Sequence, residues 1–148
     1  AGNLYFDHDV AGGWFNAATG FGALGYAIPA AIGAQVAKPD SNVVVIAGDG
    51  GAQFSLPELM TAAQEELPIT FIIWNNDGYG EIELSMQRAD VDVVGCDPKP
   101  PLFEAVAASC GMPYAQVPAK AEALAKALRP VKGQKGPRMI EISAPLAG

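Results

Sequence analysis

The sequence predicts an α/β fold, a parallel sheet flanked by helices, held in a single domain over residues 1–148. Two runs, Val43-Val44-Val45-Ile46-Ala47 and Ile69 to Trp74, are continuously apolar and rich in β-branched residues. They lack the alternation of a half-exposed strand, so each suits a parallel strand buried on both faces. Each run ends in a polar turn flanked by glycine, and helix-compatible stretches lie between the runs. Parallel neighbours need such a crossover, and right-handed βαβ units supply it.

The elements follow in order. Residues 1–19 have no clear period and are rich in Gly, Asp and Asn, which predicts a loop that includes His8, the single histidine. Residues 22–37 predict a helix with a small-residue face. Ser41-Asn42 turns the chain into the strand at 43–47, which ends in Gly48-Asp49-Gly50-Gly51. Ser55 precedes Leu56-Pro57-Glu58, the pattern of an N-cap with an early proline and a capping-box glutamate; the helix is expected to run to about Glu66. Pro68 introduces the second strand at 69–74, followed by Asn75-Asn76-Asp77-Gly78. A helix from about Gly80 to Ala89 and a proline-rich loop from Asp90 to Pro101 come next. Helix 102–110, a short strand near 114–117, helix 119–129 and a strand at 138–143 complete the pattern. Glu104, Lys120, Glu122, Lys126 and Arg129 read as solvated helix faces.

Composition narrows the function. The net charge of −7 argues against a nucleic-acid partner. No apolar run reaches the roughly 18–20 residues of a membrane helix, and no secretory signal opens the chain. Cys96 and Cys110 lie in no zinc or CxxC spacing, which fits ordinary thiols in a reducing, cytoplasmic compartment. Between Gly20 and Gly80 the only cationic side chain is Lys38. A phosphate bound there would need backbone N–H groups, helix dipoles and a metal ion to neutralise it.

Ligands of open parallel sheets sit at the carboxyl ends of the strands. Asp49 ends one strand and Asn75-Asn76 ends the next, one crossover apart, so both belong on the same edge of the sheet. A carboxylate, an amide oxygen and a main-chain carbonyl form a hard, oxygen-only set of the kind magnesium takes together with phosphates. Gly50 and Gly51 allow close approach to a phosphate, and a helix N-terminus nearby favours negative charge.

Gly48-Asp49-Gly50, then 24 residues, then Asn75-Asn76, resembles the thiamine-diphosphate motif of pyruvate decarboxylases, acetolactate synthases and their relatives. The resemblance extends through Thr19-Gly20-Phe21-Gly22-Ala23-Leu24-Gly25-Tyr26 and Pro29-Ala30-Ala31-Ile32-Gly33, nearly the whole chain. It implies the thiamine-diphosphate-binding fold. It further implies that Asp49, the Asn76 side-chain oxygen and the Gly78 main-chain oxygen ligate Mg2+, while Gly50 and Gly51 donate N–H groups to the diphosphate. The Gly22 carbonyl would accept from the cofactor's 4′-amino group, and Leu24 would wedge between its two rings. Gly20-x-Gly22-x-x-Gly25 also satisfies a dinucleotide fingerprint, but no strand precedes it, as that motif requires.

The family's glutamate that protonates the aminopyrimidine lies on another domain, usually of a neighbouring subunit. The resemblance therefore implies a C-terminal domain of a longer, homodimeric or homotetrameric enzyme acting on 2-oxo acids, inactive by itself. The chain starts, on this reading, just after the domain's first strand. Pyruvate decarboxylases carry a catalytic glutamate where this chain has Ile82. Tyr79-Gly80-Glu81-Ile82, with Trp14-Phe15-Asn16, is closer to acetolactate-synthase-like decarboxylases, including those acting on guanidino-oxo acids. Glu81 is thus a candidate partner for a cationic substrate tail; the competing expectation is a solvated glutamate on an exposed helix face. The alternative for the whole chain is a non-catalytic scaffold or dimerisation domain that keeps the fold.

Overall fold

A computed structural model describes residues 13–16, 20–130 and 135–144. The loop expected over 1–19, His8 and Thr19 included, falls outside them except at 13–16.

Helix α1 spans Ala27–Ala37 and leads to strand β1, Val44–Gly48. A short helix α2, Asp49–Ala52, a 3-10 turn, Gln53–Ser55, and helix α3, Glu58–Gln64, follow before β2, Thr70–Asn75. Helices α4, Gly80–Arg88, and α5, Phe103–Ser109, precede β3, Tyr114–Pro118; α6, Ala121–Ala127, then returns the chain to β4, Arg138–Ser143. The sheet has the order β1-β2-β4-β3, and every neighbouring pair is parallel. The expected parallel α/β architecture is therefore the observed one, with strand limits shifted by about one residue at β1 and β2.

The two faces of the sheet differ. Val45, Phe71, Ile73 and Met139 form one core with Ile28 and Ala31 of α1, Leu59 and Ala62 of α3, and Phe103 and Ala107 of α5. On the other face, Val44 and Ile46 of the edge strand β1 remain 52% and 55% exposed. Burial of the first face supplies the main driving force for the fold, at about 25 cal/mol per Å² of apolar surface removed from water.

Two helix starts differ from expectation. The helix expected over 22–37 begins only at Ala27, because Gly22 and Gly25 adopt φ values of 74° and 83° that end any right-handed helix. The helix expected to be capped by Ser55 begins at Asp49 instead. Leu56 and Pro57 are themselves right-handed helical, so Ser55 lies inside a continuous helical path. Its hydroxyl is buried without a hydrogen-bond partner, and the capping box does not form. The sequence pattern is present, but the chain has already turned helical about two turns earlier, at Asp49.

Arg138 fastens the far side of the sheet. Its guanidinium donates to the carbonyls of Ala127, Leu128 and Arg129 at the end of α6, at 3.3, 3.0 and 3.0 Å, and to Thr70 Oγ1 at 2.9 Å. A cation bonded to the last carbonyls of a helix satisfies them and complements the dipole. Arg138→Met is expected to lower unfolding stability by about 2 kcal/mol, the worth of a charge-assisted hydrogen-bond set, read as a lower urea midpoint with unchanged slope.

Candidate functional site

The site begins where β1 runs straight into α2. Gly48 is extended, with φ −70° and ψ 154°, and as N-cap it offers no side chain to the turn that follows. Asp49 therefore occupies the first turn of a helix, where the dipole favours a carboxylate. The parallel register pairs Gly48 with Trp74. That pairing carries the end of β2, and the Asn75–Gly78 loop beyond it, alongside the start of α2.

Asp49 is 1% exposed. Its Oδ2 accepts the Gly78 N–H at 3.0 Å. The Asn76 amide atom that faces this carboxylate lies 2.9 Å from Asp49 Oδ1 and 3.0 Å from the Gly78 carbonyl oxygen. Asp49, Asn76 and Gly78 are thus brought to one point by two strand ends. Burial pushes the Asp49 carboxyl above its ordinary pKa, and the backbone N–H groups of Gly50, Asn76, Gly78 and Asp49 itself oppose that shift.

The Asn76 amide has two orientations with different consequences. With nitrogen inward it donates to both oxygens and the cluster is satisfied without any ion. With oxygen inward, three acceptors face one another, and only a cation between them removes the repulsion. An octahedral magnesium ion with metal–oxygen bonds of about 2.0–2.1 Å sets adjacent ligand oxygens about 2.9–3.0 Å apart. The spacing here matches that edge. The oxygen set at Asp49 has the chemistry that suits a hard ion.

Beside this cluster lies an open cleft of about 210 Å³ whose walls include Gly22, Leu24, Gly48 and Gly51. The loop before α1 and the loop after β1 thus share one cavity. Leu24 is 51% exposed, and a Cβ on Gly51 would stand 3.7 Å from its Cδ2. The loop holds this shape through Gly25, where a side chain would strike Phe54 Cβ at 2.7 Å and where φ is +83°. Gly78 is needed for a different reason, since a Cβ there would collide with the Cys96 carbonyl. That carbonyl also accepts the Tyr79 N–H at 2.8 Å and closes the loop from behind.

Gly50 backs onto the ring of Tyr79, whose Cδ1 would be 2.5 Å from an added Cβ. Glu81 is not gathered in. It stands exposed in the first turn of α4 and lines neither this cleft nor a second one, of about 310 Å³, beside β3 and β4. Two contributors were missed from sequence. Tyr79 enters the sequence reading only within the Tyr79-Gly80-Glu81-Ile82 pattern, and Glu141, which accepts from Asn75, carries no local signal because its partners come from other strands.

Comparison with known proteins gives the family to which the chain belongs. The family described as thiamine pyrophosphate enzyme, C-terminal TPP binding domain, matches residues 1–142. The chain is 36% identical over 142 residues to a probable 2-ketoarginine decarboxylase of Pseudomonas aeruginosa, covering 95% of this chain and 25% of that protein. It is 36% identical over 135 residues to the chloroplastic acetolactate synthase of Arabidopsis thaliana, covering 85% and 20% respectively. Among solved structures, the thiamine diphosphate-dependent 4-hydroxybenzoylformate decarboxylase of Rhodococcus jostii RHA1 superposes with a TM-score of 0.75 at 32% identity, over 84% of this chain and 24% of that one. The chain thus spans about a quarter or less of the length of these relatives. It belongs to the thiamine pyrophosphate enzyme family, in which it corresponds to the C-terminal cofactor-binding domain.

Proposed function

We propose that this chain is the diphosphate-holding module of a longer thiamine-diphosphate enzyme that decarboxylates or carboligates 2-oxo acids, and that it holds the cofactor through Mg2+. The observation that carries the reading is that the Asn76 amide stands 2.9 Å from Asp49 Oδ1 and 3.0 Å from the Gly78 carbonyl oxygen, beside a helix start with no side-chain cap. Asp49, Asn76 through its side-chain oxygen and Gly78 through its main chain are the ligands. The ion offsets the cost of burying the Asp49 charge and brings the positive charge that this stretch of sequence lacks. Gly50 and Gly51, in the first turn of α2, present their N–H groups to the diphosphate. When bound, the cofactor supplies a carbanion-stabilising thiazolium. Leu24, half-exposed above Gly51, wedges between the cofactor's rings, and the Gly22 carbonyl accepts from its amino group.

The rest of the machinery belongs to partners. A pyrimidine-binding domain of the same enzyme, from a neighbouring subunit of a homodimer or homotetramer, contributes the missing glutamate, so the isolated chain is inactive. Exposed Phe21, Leu24 and Phe54 beside the cleft suit coverage by such a domain. Both described cysteines are free thiols, which supports a cytoplasmic setting, and among the described residues no helix is long and apolar enough to cross a membrane. Similarity to the probable 2-ketoarginine decarboxylase of Pseudomonas favours a cationic 2-oxo acid, with Glu81 as the carboxylate to meet it.

Two measurements test this reading in the full-length protein that carries the chain. Calorimetry is expected to show thiamine diphosphate binding only with Mg2+, and Asp49→Asn to weaken it by more than roughly 100-fold, beyond the 10–100-fold cost of losing outer partners of a metal site. Binding that ignores Mg2+, or no binding at all, favours the scaffold alternative. Glu81→Gln is expected to raise KM for a guanidino 2-oxo acid about two- to fivefold, the worth of a solvent-accessible ion pair, and to leave KM for pyruvate alone. An unchanged KM for the cationic substrate leaves Glu81 as a solvated glutamate on the exposed face of α4.

A further inference from the structure

Glu141 is a buried carboxylate that the site described above does not use. It lies on β4, 5% exposed, facing the same side of the sheet as the core residue Ile73 with which it pairs. Burying a carboxylate is costly unless donors surround it, and here three do. Asn75 Nδ2 donates to Oε1 at 2.8 Å, Tyr114 Oη to Oε2 at 2.5 Å, and Gln116 Nε2 to Oε1 at 3.3 Å. Burial and the neighbouring Glu141 push the Tyr114 hydroxyl to a higher pKa, so it stays a donor across the working range of pH.

The contact to Asn75 has a consequence at the ion site. Asn75 Oδ1 accepts the Asp77 N–H at 3.1 Å, a side-chain turn that reverses the loop immediately after β2. Asp77 sits at φ +62°, a conformation that costs a non-glycine residue energy unless its surroundings hold it. One residue further, Gly78 gives its N–H to Asp49. An asparagine amide can make this turn only with its oxygen toward Asp77, and its nitrogen must then find an acceptor. A carboxylate that accepts from every side, and donates nothing, allows one orientation only.

We infer that Glu141 is a positioning residue for the metal loop: by accepting from Asn75 Nδ2 it locks the amide that folds Asn75–Gly78 against Asp49. The inference rests on the reading of Asp49, Asn76 and Gly78 as a Mg2+ site. It concerns a residue from a different strand, 66 positions from Asn75, which touches neither the ion's ligands nor the cofactor cleft.

Glu141→Gln is the deciding variant, since it keeps the size and removes the acceptor-only character. The glutamine amide can present its nitrogen to Asn75 and release the orientation. In the full-length protein, the Mg2+ concentration that half-saturates thiamine diphosphate binding, measured by calorimetry, is expected to rise about tenfold, the lower range for losing an outer partner of a metal site. KM for the oxo acid at saturating Mg2+ is expected to stay unchanged, as is the circular dichroism spectrum. Pairing Glu141→Gln with Asn75→Asp reverses donor and acceptor and is expected to recover the Mg2+ requirement. Tyr114→Phe, which spares the Glu141–Asn75 bond, is expected to leave it within about twofold, a shift below the resolution of outer-partner effects. If Glu141→Gln does not fold, Asn75→Ala answers the same question, with the same rise expected.

An unchanged Mg2+ requirement in Glu141→Gln or Asn75→Ala overturns the inference alone, as does a rise that the double substitution does not reverse. A wild-type protein that binds thiamine diphosphate without regard to Mg2+ overturns the site reading and this inference together.

Discussion

The burial of one carboxylate organises this protein's site. Asp49 is held at the start of a helix, almost fully out of water, and receives an N–H from a loop that follows a different strand. A charge in that position is tolerable only if dipoles and donors are arranged around it before it is buried. The helix start and the Gly78 N–H are two such groups, and the Asn76 amide joins them only when its nitrogen faces inward. Their convergence fixes how the ends of β1 and β2 meet.

The same requirement explains why the surrounding chain is so rich in small residues. Gly78 leaves room for the Cys96 carbonyl, and Gly25 sits where both its φ and the nearby Phe54 forbid a side chain. Each packs a loop closely behind or beside the cluster, so that the cleft lined by Gly22, Leu24 and Gly51 opens next to the acidic group and not away from it. Leu24 and Phe54 beside that cleft, and Val44 and Ile46 of β1, remain exposed.

Behind the loop, Glu141 and its three donors form a second polar layer on the core side of the sheet. A buried network of this kind rigidifies its surroundings only when every member is satisfied. Here it ends at Asn75, whose side chain shapes the loop that carries Asn76 and Gly78. The sheet register is what allows this, because Glu141 pairs with Ile73 and so faces the same way as Asn75, two residues on. Arg138, on the same strand, does comparable work on the other side by closing the end of α6.

Local sequence determined the strand and helix order, the parallel sheet and the placing of Asp49 and Asn76 on one edge of it. Continuous apolar runs, their glycine-flanked ends and a one-crossover spacing are short-range properties that survive folding unchanged. Helix starts were less legible: Ser55 carried a good capping pattern, yet the main chain turned helical at Asp49, because packing of α2 against the strand ends outweighed a local cap. The exposure of Glu81, the shared cleft of Leu24 and Gly51, and the bond from Glu141 to Asn75 were decided by tertiary structure alone. Each depends on which strands lie side by side and in what register, and a register is set by the whole buried sheet, not by any stretch of residues that a local pattern can describe.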